Sequence, residues 1–429
     1  MQSQNLVKKE LFKEVDPSWD FRGSDTKYSN HSFHTYPAMM IPQIARRLIE
    51  TYGKDAKVLL DPFMGSGTAV LEATLHNNFT KAYGIDINPL AILISKVKTT
   101  PINSDILSNE YKKLIDKCVQ GLNEINLSDA EIETPNFFNI DFWFKPKVIR
   151  ELTIIKNNIE IIKDPKIKNF FYVVFSETVR NVSNTRNSEF KLYRMNDEKL
   201  KIHNPNVLGT FKDRAQNNIR KMESYETEAN KKCQVKILSE DSRYKTSIKD
   251  KEVDLIVTSP PYGDSRTTVA YGQFSRLALQ WIGYEKEDVM GIDKESLGGV
   301  PSKDLTVTID SPSLKKTIER ISNIDAERAR DVLSFYLDFD LCVKELHRVT
   351  KEGAFLCFVV GNRTVKGIQI PTDDIIVEMF QLENNYKHHK TIIREIPNKR
   401  MPKINSPSNV KGDYGKTMSQ EWIIILEKT

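Results

Sequence analysis

The chain has 429 residues, 28% of them charged and 39% hydrophobic, with a formal net charge of +5 and a pI near 8.7. This is an ordinary soluble composition, long enough to bury a large core and mildly basic, with no apolar run of membrane-spanning length and a charged N-terminus unlike a signal peptide. The four cysteines, Cys118, Cys233, Cys342 and Cys357, are scattered without Cys-x-x-Cys pairs or a histidine cluster, which speaks against a disulfide framework or a metal site and for a reducing, cytoplasmic setting.

Residues 1 to about 30 are polar apart from anchors such as Trp19 and Phe21, and read as an arm lying on the domain or on a substrate. A helix is expected from Pro42, where proline suits the first turn and Ile44, Ala45, Leu48 and Ile49 share a face. Val58 to Leu60 reads as a buried strand. It runs into Asp61-Pro62-Phe63-Met64-Gly65-Ser66-Gly67-Thr68, a glycine loop opening a second helix. Gly65 and Gly67 allow close backbone approach to a ligand, and the helix start offers free N–H groups. The loop lacks the Gly-Lys-Ser/Thr ending of a phosphate-binding P-loop and the full Gly-x-Gly-x-x-Gly fingerprint. About twenty residues on, Tyr83-Gly84-Ile85-Asp86-Ile87-Asn88-Pro89 makes a second strand tipped by a carboxylate, placed to accept from ribose hydroxyls.

After a helix from Pro89 to Val97, about 130 residues pass before the sheet resumes, so this interval carries its own elements. Tyr111 to Leu122 and Lys147 to Ile162 have helical periodicity, while Phe170 to Val179 suits a buried helix or a strand. Residues 141–220 hold 16 Lys and Arg against 9 Asp and Glu, interleaved with aromatics, and contain the run Arg180 to Asn187. Arg180, Asn184, Arg186, Lys191 and Arg194 are the side chains here suited to phosphates and base edges.

Val235 to Leu238 is the returning strand, ending in Glu240 and Asp241. Val253 to Val257 follows as another buried strand, stopped by Ser259-Pro260-Pro261-Tyr262, where two prolines remove two amide donors and leave a stiff corner with free carbonyls, a hydroxyl and a ring. Arg266 to Arg276 reads as a loop over the site leading into a helix from Leu277, and 285–325 as a polar excursion. A helix from Ala326 to Val349 is expected to end at Gly353, with strands at Ala354 to Val360, Lys390 to Ile396 and Glu421 to Leu426.

Asp-Pro-Phe-Met-Gly-Ser-Gly-Thr and Thr-Ser-Pro-Pro-Tyr, in this order and each at a strand end, resemble the cofactor and catalytic loops of the S-adenosylmethionine-dependent DNA amino-methyltransferases. The Ser-led form is most associated with cytosine-N4 enzymes; adenine-N6 relatives more often begin with Asp or Asn, and an RNA base methyltransferase is a more distant alternative. The resemblance covers roughly residues 31–100 and 233–429. It implies an α/β Rossmann-like methyltransferase fold with a mostly parallel seven-stranded sheet and an inserted helical region, divided as 1–100, 101–232 and 233–429. By resemblance, Tyr36 packs over the methionine end of the cofactor, Asp241 (or Glu240) binds its adenine amine, and Lys399 and Arg400 lie in a basic loop near the DNA. Arg266 would reach DNA from the loop after the catalytic corner. The partner implied is double-stranded DNA, in the usual setting of a restriction–modification system with a cognate endonuclease.

The chemistry follows from the residues. A base amine is a poor nucleophile because its lone pair is delocalised into the ring. The Ser259 hydroxyl and the Pro260 carbonyl can accept from it, Tyr262 can stack on a flipped base, and positioning supplies much of the acceleration. No cysteine stands in the loop to attack the ring covalently.

Overall fold

The computed structural model describes residues 11–128, 132–186, 189–264, 268–383, 385–397, 404–405, 415–416 and 418–429. Its main strands are β1 (Lys13–Val15), β2 (Val58–Asp61), β3 (Lys81–Ile85), β4 (Gln234–Leu238), β5 (Val253–Thr258), β6 (Thr350–Val360), β7 (Tyr386–Glu395) and β8 (Gln420–Lys428). They form one sheet in the order β1-β7-β8-β6-β5-β2-β3-β4. All neighbouring pairs are parallel except those of β8, which runs antiparallel to β6 and β7. The fold is a Rossmann-like methyltransferase sheet with eight strands rather than the seven expected. The added strand is β1, from the polar arm. It has no apolar run to betray it, because it joins the edge through backbone bonds (Thr391 N–H to Phe12 O at 2.9 Å, Asp16 N–H to Ile393 O at 3.1 Å).

The helices are α1 (Pro42–Tyr52), α2 (Thr68–Thr74), α3 (Pro89–Lys98), α4 (Ser104–Ser128), α5 (Ile140–Trp143), α6 (Pro146–Glu160), α7 (Pro165–Val182), α8 (Asp197–Ile202), α9 (Val207–Glu228), α10 (Tyr271–Ile282), α11 (Lys286–Glu295), α12 (Pro312–Ser322), α13 (Ala326–Val349) and α14 (Thr372–Leu382). Proline opens α1, α3, α6, α7 and α12, and the Asn88, Asp164 and Ser311 side chains cap three of these by accepting from first-turn N–H groups.

One face of the sheet is covered by α1 and α2, whose Ile44, Leu48, Val70 and Ala73 pack with Leu59, Leu255 and Ile423. The other is covered by α12, α13 and α14, through Leu314, Phe339 and Ile376 on Leu60, Ile256 and Phe358. Each fully buried leucine contributes about 2 kcal/mol. A separate helical layer, α4 to α10, closes around Phe170, Phe175, Phe211 and Trp281 and shares that core with α3. Phe170 to Val179 belongs to this layer as part of helix α7. Its residues are buried all round because α6, α9, α10 and α3 surround it.

Two expectations need correction. Residues 285–325 are not a loose excursion: α11 and α12 lie within them, and Val289, Ile292, Leu297, Leu314 and Ile318 are buried. Gly353 does not end α13, since the chain passes at Thr350 straight into β6; the glycine, at φ +76°, sits where the β5–β6 register shifts.

The strand order places a reversal between β2 and β5: the chain moves outward through β3 and β4, then returns to the other side of β2. Such a switch point opens a crevice at the carboxyl ends of the strands. The register Leu60↔Ile256 sets the ends of these two strands side by side. The glycine loop and the Ser-Pro-Pro-Tyr corner therefore leave the sheet next to each other.

Candidate active site

The glycine loop is fixed from three directions. Gly67 N–H donates to Met64 O at 2.7 Å, Met64 N–H to Ile85 O at 3.1 Å, and Ser95 Oγ of α3 to Gly65 O at 2.9 Å. Gly67 caps α2 at φ +79°, and a Cβ there would lie 2.7 Å from Ser95 Oγ. Any side chain there would displace that of Ser95 and take up a backbone conformation that L residues rarely adopt.

Two carboxylates face the crevice. Asp86, beyond the tip of β3, accepts from Gly65 N–H at 2.9 Å and Asn88 N–H at 2.8 Å. Burial pushes its carboxyl up to about 6, against the lowering effect of these bonds. Asp61, at the end of β2, accepts from Thr258 Oγ1 at 2.6 Å and Phe63 N–H at 3.2 Å, and burial pushes it up to about 7. Among the described residues neither carboxylate has a cationic side chain as hydrogen-bonding partner, so both are suited to meet positive charge or hydroxyl donors brought by a ligand.

These residues line one cavity. Its wall takes in Tyr36, Asp61, Pro62, Phe63, Gly65, Ser66, Thr68, Asp86, Ile87, Asp241, Ser259 and Pro261 from the sequence-predicted set. Gly67, Pro260 and Tyr262 adjoin these residues in sequence without being part of the lining. Pro37, Glu240, Tyr271, Arg243, Glu295 and Leu297 are among the other lining residues. Tyr271 is the main residue the sequence reading missed. It opens α10, inside the stretch expected to be a loop, and its ring stacks on Tyr36 with centroids 5.9 Å apart. The polar look of Tyr271 to Arg276 misled because its serine and glutamine are used inside: Ser275 Oγ accepts from Asn88 Nδ2 at 2.8 Å and Gln273 Oε1 from Leu192 N–H at 3.4 Å.

Asp241 is held by Arg243, with Nη2 to Oδ2 at 2.6 Å; the same guanidinium reaches Asp338 of α13 at 3.1 Å and the Glu295 carbonyl of α11 at 2.5 Å. Arg243 thus ties the end of α11 to the cavity wall. Ser242 Oγ donates to Pro62 O at 2.7 Å, joining the β4 end to the glycine loop.

At the corner after β5, Ser259 Oγ donates to Tyr262 Oη at 3.3 Å, and Tyr262 Oη donates to Glu421 Oε1 at 3.0 Å. Burial, then the Glu421 carboxylate, hold the phenol well above its usual pKa, so it keeps its proton.

The basic middle region divides in two. Arg180 and Asn184 were expected to contact DNA, and this is corrected: both are buried. The Arg180 guanidinium lies over Phe274 at 4.2 Å and donates to the Glu189 carbonyl, with burial lowering it to about 10; Asn184 N–H donates to Trp143 O at 2.7 Å. Arg180 is inside because α7 stays buried into its last turn, and Asn184, just beyond the helix, because its backbone is bonded on both sides, to Trp143 O and from Met195 N–H. Arg186, Lys191 and Arg194 lie on a hairpin closed by the Thr185–Arg194 bridge, with Arg194 over Phe142 at 4.6 Å. Through Phe190 on Phe274 this hairpin rests on α10, the helix whose first residue walls the cavity. Arg266, Lys399 and Arg400 lie outside the described residues.

Comparison with known proteins agrees with this architecture. A DNA methylase family model, one that spans N6 and N4 enzymes, matches residues 1–97. Over 453 aligned positions the chain is 43% identical to the type II methyltransferase M.MvaI of Kocuria varians, covering 99% of this chain and 97% of that one. It is 24% identical to M.BsoBI of Geobacillus stearothermophilus, over 93% of this chain and 86% of that one. It is 22% identical to M.MjaII of Methanocaldococcus jannaschii, over 62% and 64%. The chain belongs to the N4/N6 amino-methyltransferase family of type II DNA methyltransferases. That family and fold imply S-adenosylmethionine as cofactor and DNA as substrate. Among the described residues no helix is long and apolar enough to cross a membrane.

Proposed function

We propose that this protein methylates the N4 amine of cytosine at a specific site in double-stranded DNA. The observation that carries the reading is the sharing of one cavity by Ser259 and Pro261 with the glycine loop and the two buried carboxylates. A group bound in the loop and an amine held at the corner are then neighbours. Bound there, S-adenosylmethionine supplies an electrophilic methyl group on a sulfonium.

The cavity's residues suit that cofactor. Gly65 and Gly67 admit close backbone approach, Asp86 takes ribose hydroxyls, Asp61 takes a cationic amine, and Tyr36 packs beside them. Asp241 or Glu240 would accept from the adenine amine; for Asp241 this competes with its Arg243 pair. Ser259 Oγ and the Pro260 carbonyl accept from the base amine, turning its lone pair out of the ring plane. The stacked Tyr36 and Tyr271 rings bring aromatic surface to the cavity wall that holds Ser259, which suits a flat base. The Ser-led form of the corner supports cytosine over adenine. The helical segment 101–232 serves as the target-recognition part, with Arg186, Lys191 and Arg194 contacting DNA next to the cavity. A cognate endonuclease would complete a restriction–modification pair.

Nucleoside mass analysis of DNA from cells expressing the protein tests the reading. N4-methylcytosine is expected. N6-methyladenine alone would overturn the base assignment, and unmodified DNA would overturn the reading itself.

A further inference from the structure

We propose that Glu421 is a positioning residue that sets the hydrogen-bond sense of the catalytic corner. The inference rests on the amino-methyl transfer reading above. β8 is antiparallel to its neighbours, so its first residues, not its last, lie at the sheet edge where β5 and β6 end. The register pairs Glu421 with Arg394 of β7 and Trp422 with Val360, the last residue of β6. Glu421 is thereby delivered to the catalytic corner from a strand more than 150 residues away in sequence.

Arg394 is 2% exposed and donates Nη1 to Glu421 Oε2, while its Nη2 donates to the carbonyl of Asp20 at 3.2 Å. The guanidinium cannot lose its proton and the carboxylate it faces has none, so Glu421 offers only acceptors. The rest follows in order. Tyr262 must donate to Glu421 Oε1, leaving its oxygen to accept. Ser259 then donates its one proton to Tyr262, as the 3.3 Å contact shows. The lone pairs of Ser259 Oγ are left for a donor on the cavity side, and a base amine is such a donor. Without the carboxylate, the Ser259 proton is free to turn toward the base, where it would oppose an amine hydrogen. The ring is also held by shape: a Cβ on Gly361 would lie 2.7 Å from Tyr262 Cδ2.

The test uses the full-length protein, with Glu421→Gln, Tyr262→Phe and the double variant. A glutamine keeps the size but can present either its oxygen or its NH₂ to Tyr262, so the sense of the chain is no longer fixed. The expected result is a kcat lower by about tenfold to a hundredfold in each single variant, with little change in KM for cofactor or DNA. The double variant should be no worse than the poorer single, because Glu421 acts only through Tyr262. A second readout needs no turnover: cofactor-free binding of a duplex carrying the mapped site, with either the natural base or an analogue lacking the exocyclic amine. Wild type should prefer the natural base and Glu421→Gln should not. If leaving Arg394 unpaired prevents folding, Glu421→Gln with Arg394→Met removes both charges and takes the same measurements. Wild-type kcat in a folded Glu421 variant, additive losses in the double variant, or retained preference for the amine would each overturn the inference. Wild-type protein that leaves no N-methylated base would instead overturn the reading beneath it.

Discussion

The backbone N–H of Gly65 donates to Oδ2 of Asp86 across 2.9 Å, which makes the glycine loop and the tip of β3 one hydrogen-bonded unit. The same carboxylate accepts from Asn88 N–H, and Asn88 in turn reaches Tyr36 and Ser275. The carboxylate is thereby linked to the loop, to the start of α3 and to α10.

Burial raises both cavity carboxyls, Asp61 to about 7 and Asp86 to about 6. Because the folded values lie above the ordinary range near 4, what these groups contribute to stability is complete below that range and is lost as pH rises through 6 and 7. A bound cation has the opposite preference, favouring the ionised carboxylates and so expelling protons. Affinity for S-adenosylmethionine should therefore climb as pH rises from about 5.5 to 7.5, by up to about tenfold per unit for each proton released. Calorimetry in buffers of different ionisation heat would show the release directly. Asp61→Asn should remove the part of the slope nearest pH 7; an unchanged slope would mean that Asp61 does not meet the cofactor's charge.

Gly67→Ala should injure the loop in two separable ways. A side chain at φ +79° carries backbone strain on the order of 1–3 kcal/mol, and its Cβ would press on Ser95 Oγ at 2.7 Å. Ser95→Ala takes Oγ out of the contact but also removes its bond to Gly65 O, so this single variant is the reference. In that background Gly67→Ala should cost less than in wild type, though still something, by thermal unfolding and by cofactor affinity. No remaining cost would show that crowding alone makes glycine necessary there.

Much of the site was legible in the sequence because strand ends announce themselves. An apolar run stopped by Asp-Pro or by Ser-Pro-Pro has nowhere to go but into a loop, so Asp61 and Ser259 could be placed before any coordinates. What stayed hidden depended on long-range pairing. β1 is polar and short, and it joins the sheet only because the β7 edge is open to it. Tyr271 looked like loop because the partners that satisfy α10's polar side chains, Asn88 and the hairpin, lie far away in the chain. Arg180 looked like surface because charge is visible in sequence, while the Phe274 ring beneath it is not.

That last contrast separates two kinds of arginine in the basic region. Arg180→Ala should act on folding, removing the contact with Phe274 and the bond to Glu189 at a cost of about 2 kcal/mol, and should loosen the hairpin. On that hairpin the ion pairs of Arg186 and Arg194 are long, 3.4 Å to Glu189 and 3.9 Å to Asp197, though Arg194 also lies over Phe142 and donates Nε to its carbonyl at 3.0 Å. Exposed pairs at such distances contribute little to stability. Changing Arg186 and Lys191 to Ala should leave the melting temperature nearly unchanged while weakening DNA binding; adding Arg194→Ala should weaken binding further and cost on the order of 1 kcal/mol of stability through its contacts with Phe142. For every phosphate the variant no longer neutralises, the dependence of log K on log salt should flatten by roughly one unit. Titrations of duplex DNA at several salt concentrations, beside melting curves, distinguish the two groups. If the triple variant binds DNA with the wild-type salt slope, the hairpin does not touch phosphates, and the positive charge that meets DNA must be sought elsewhere on the protein.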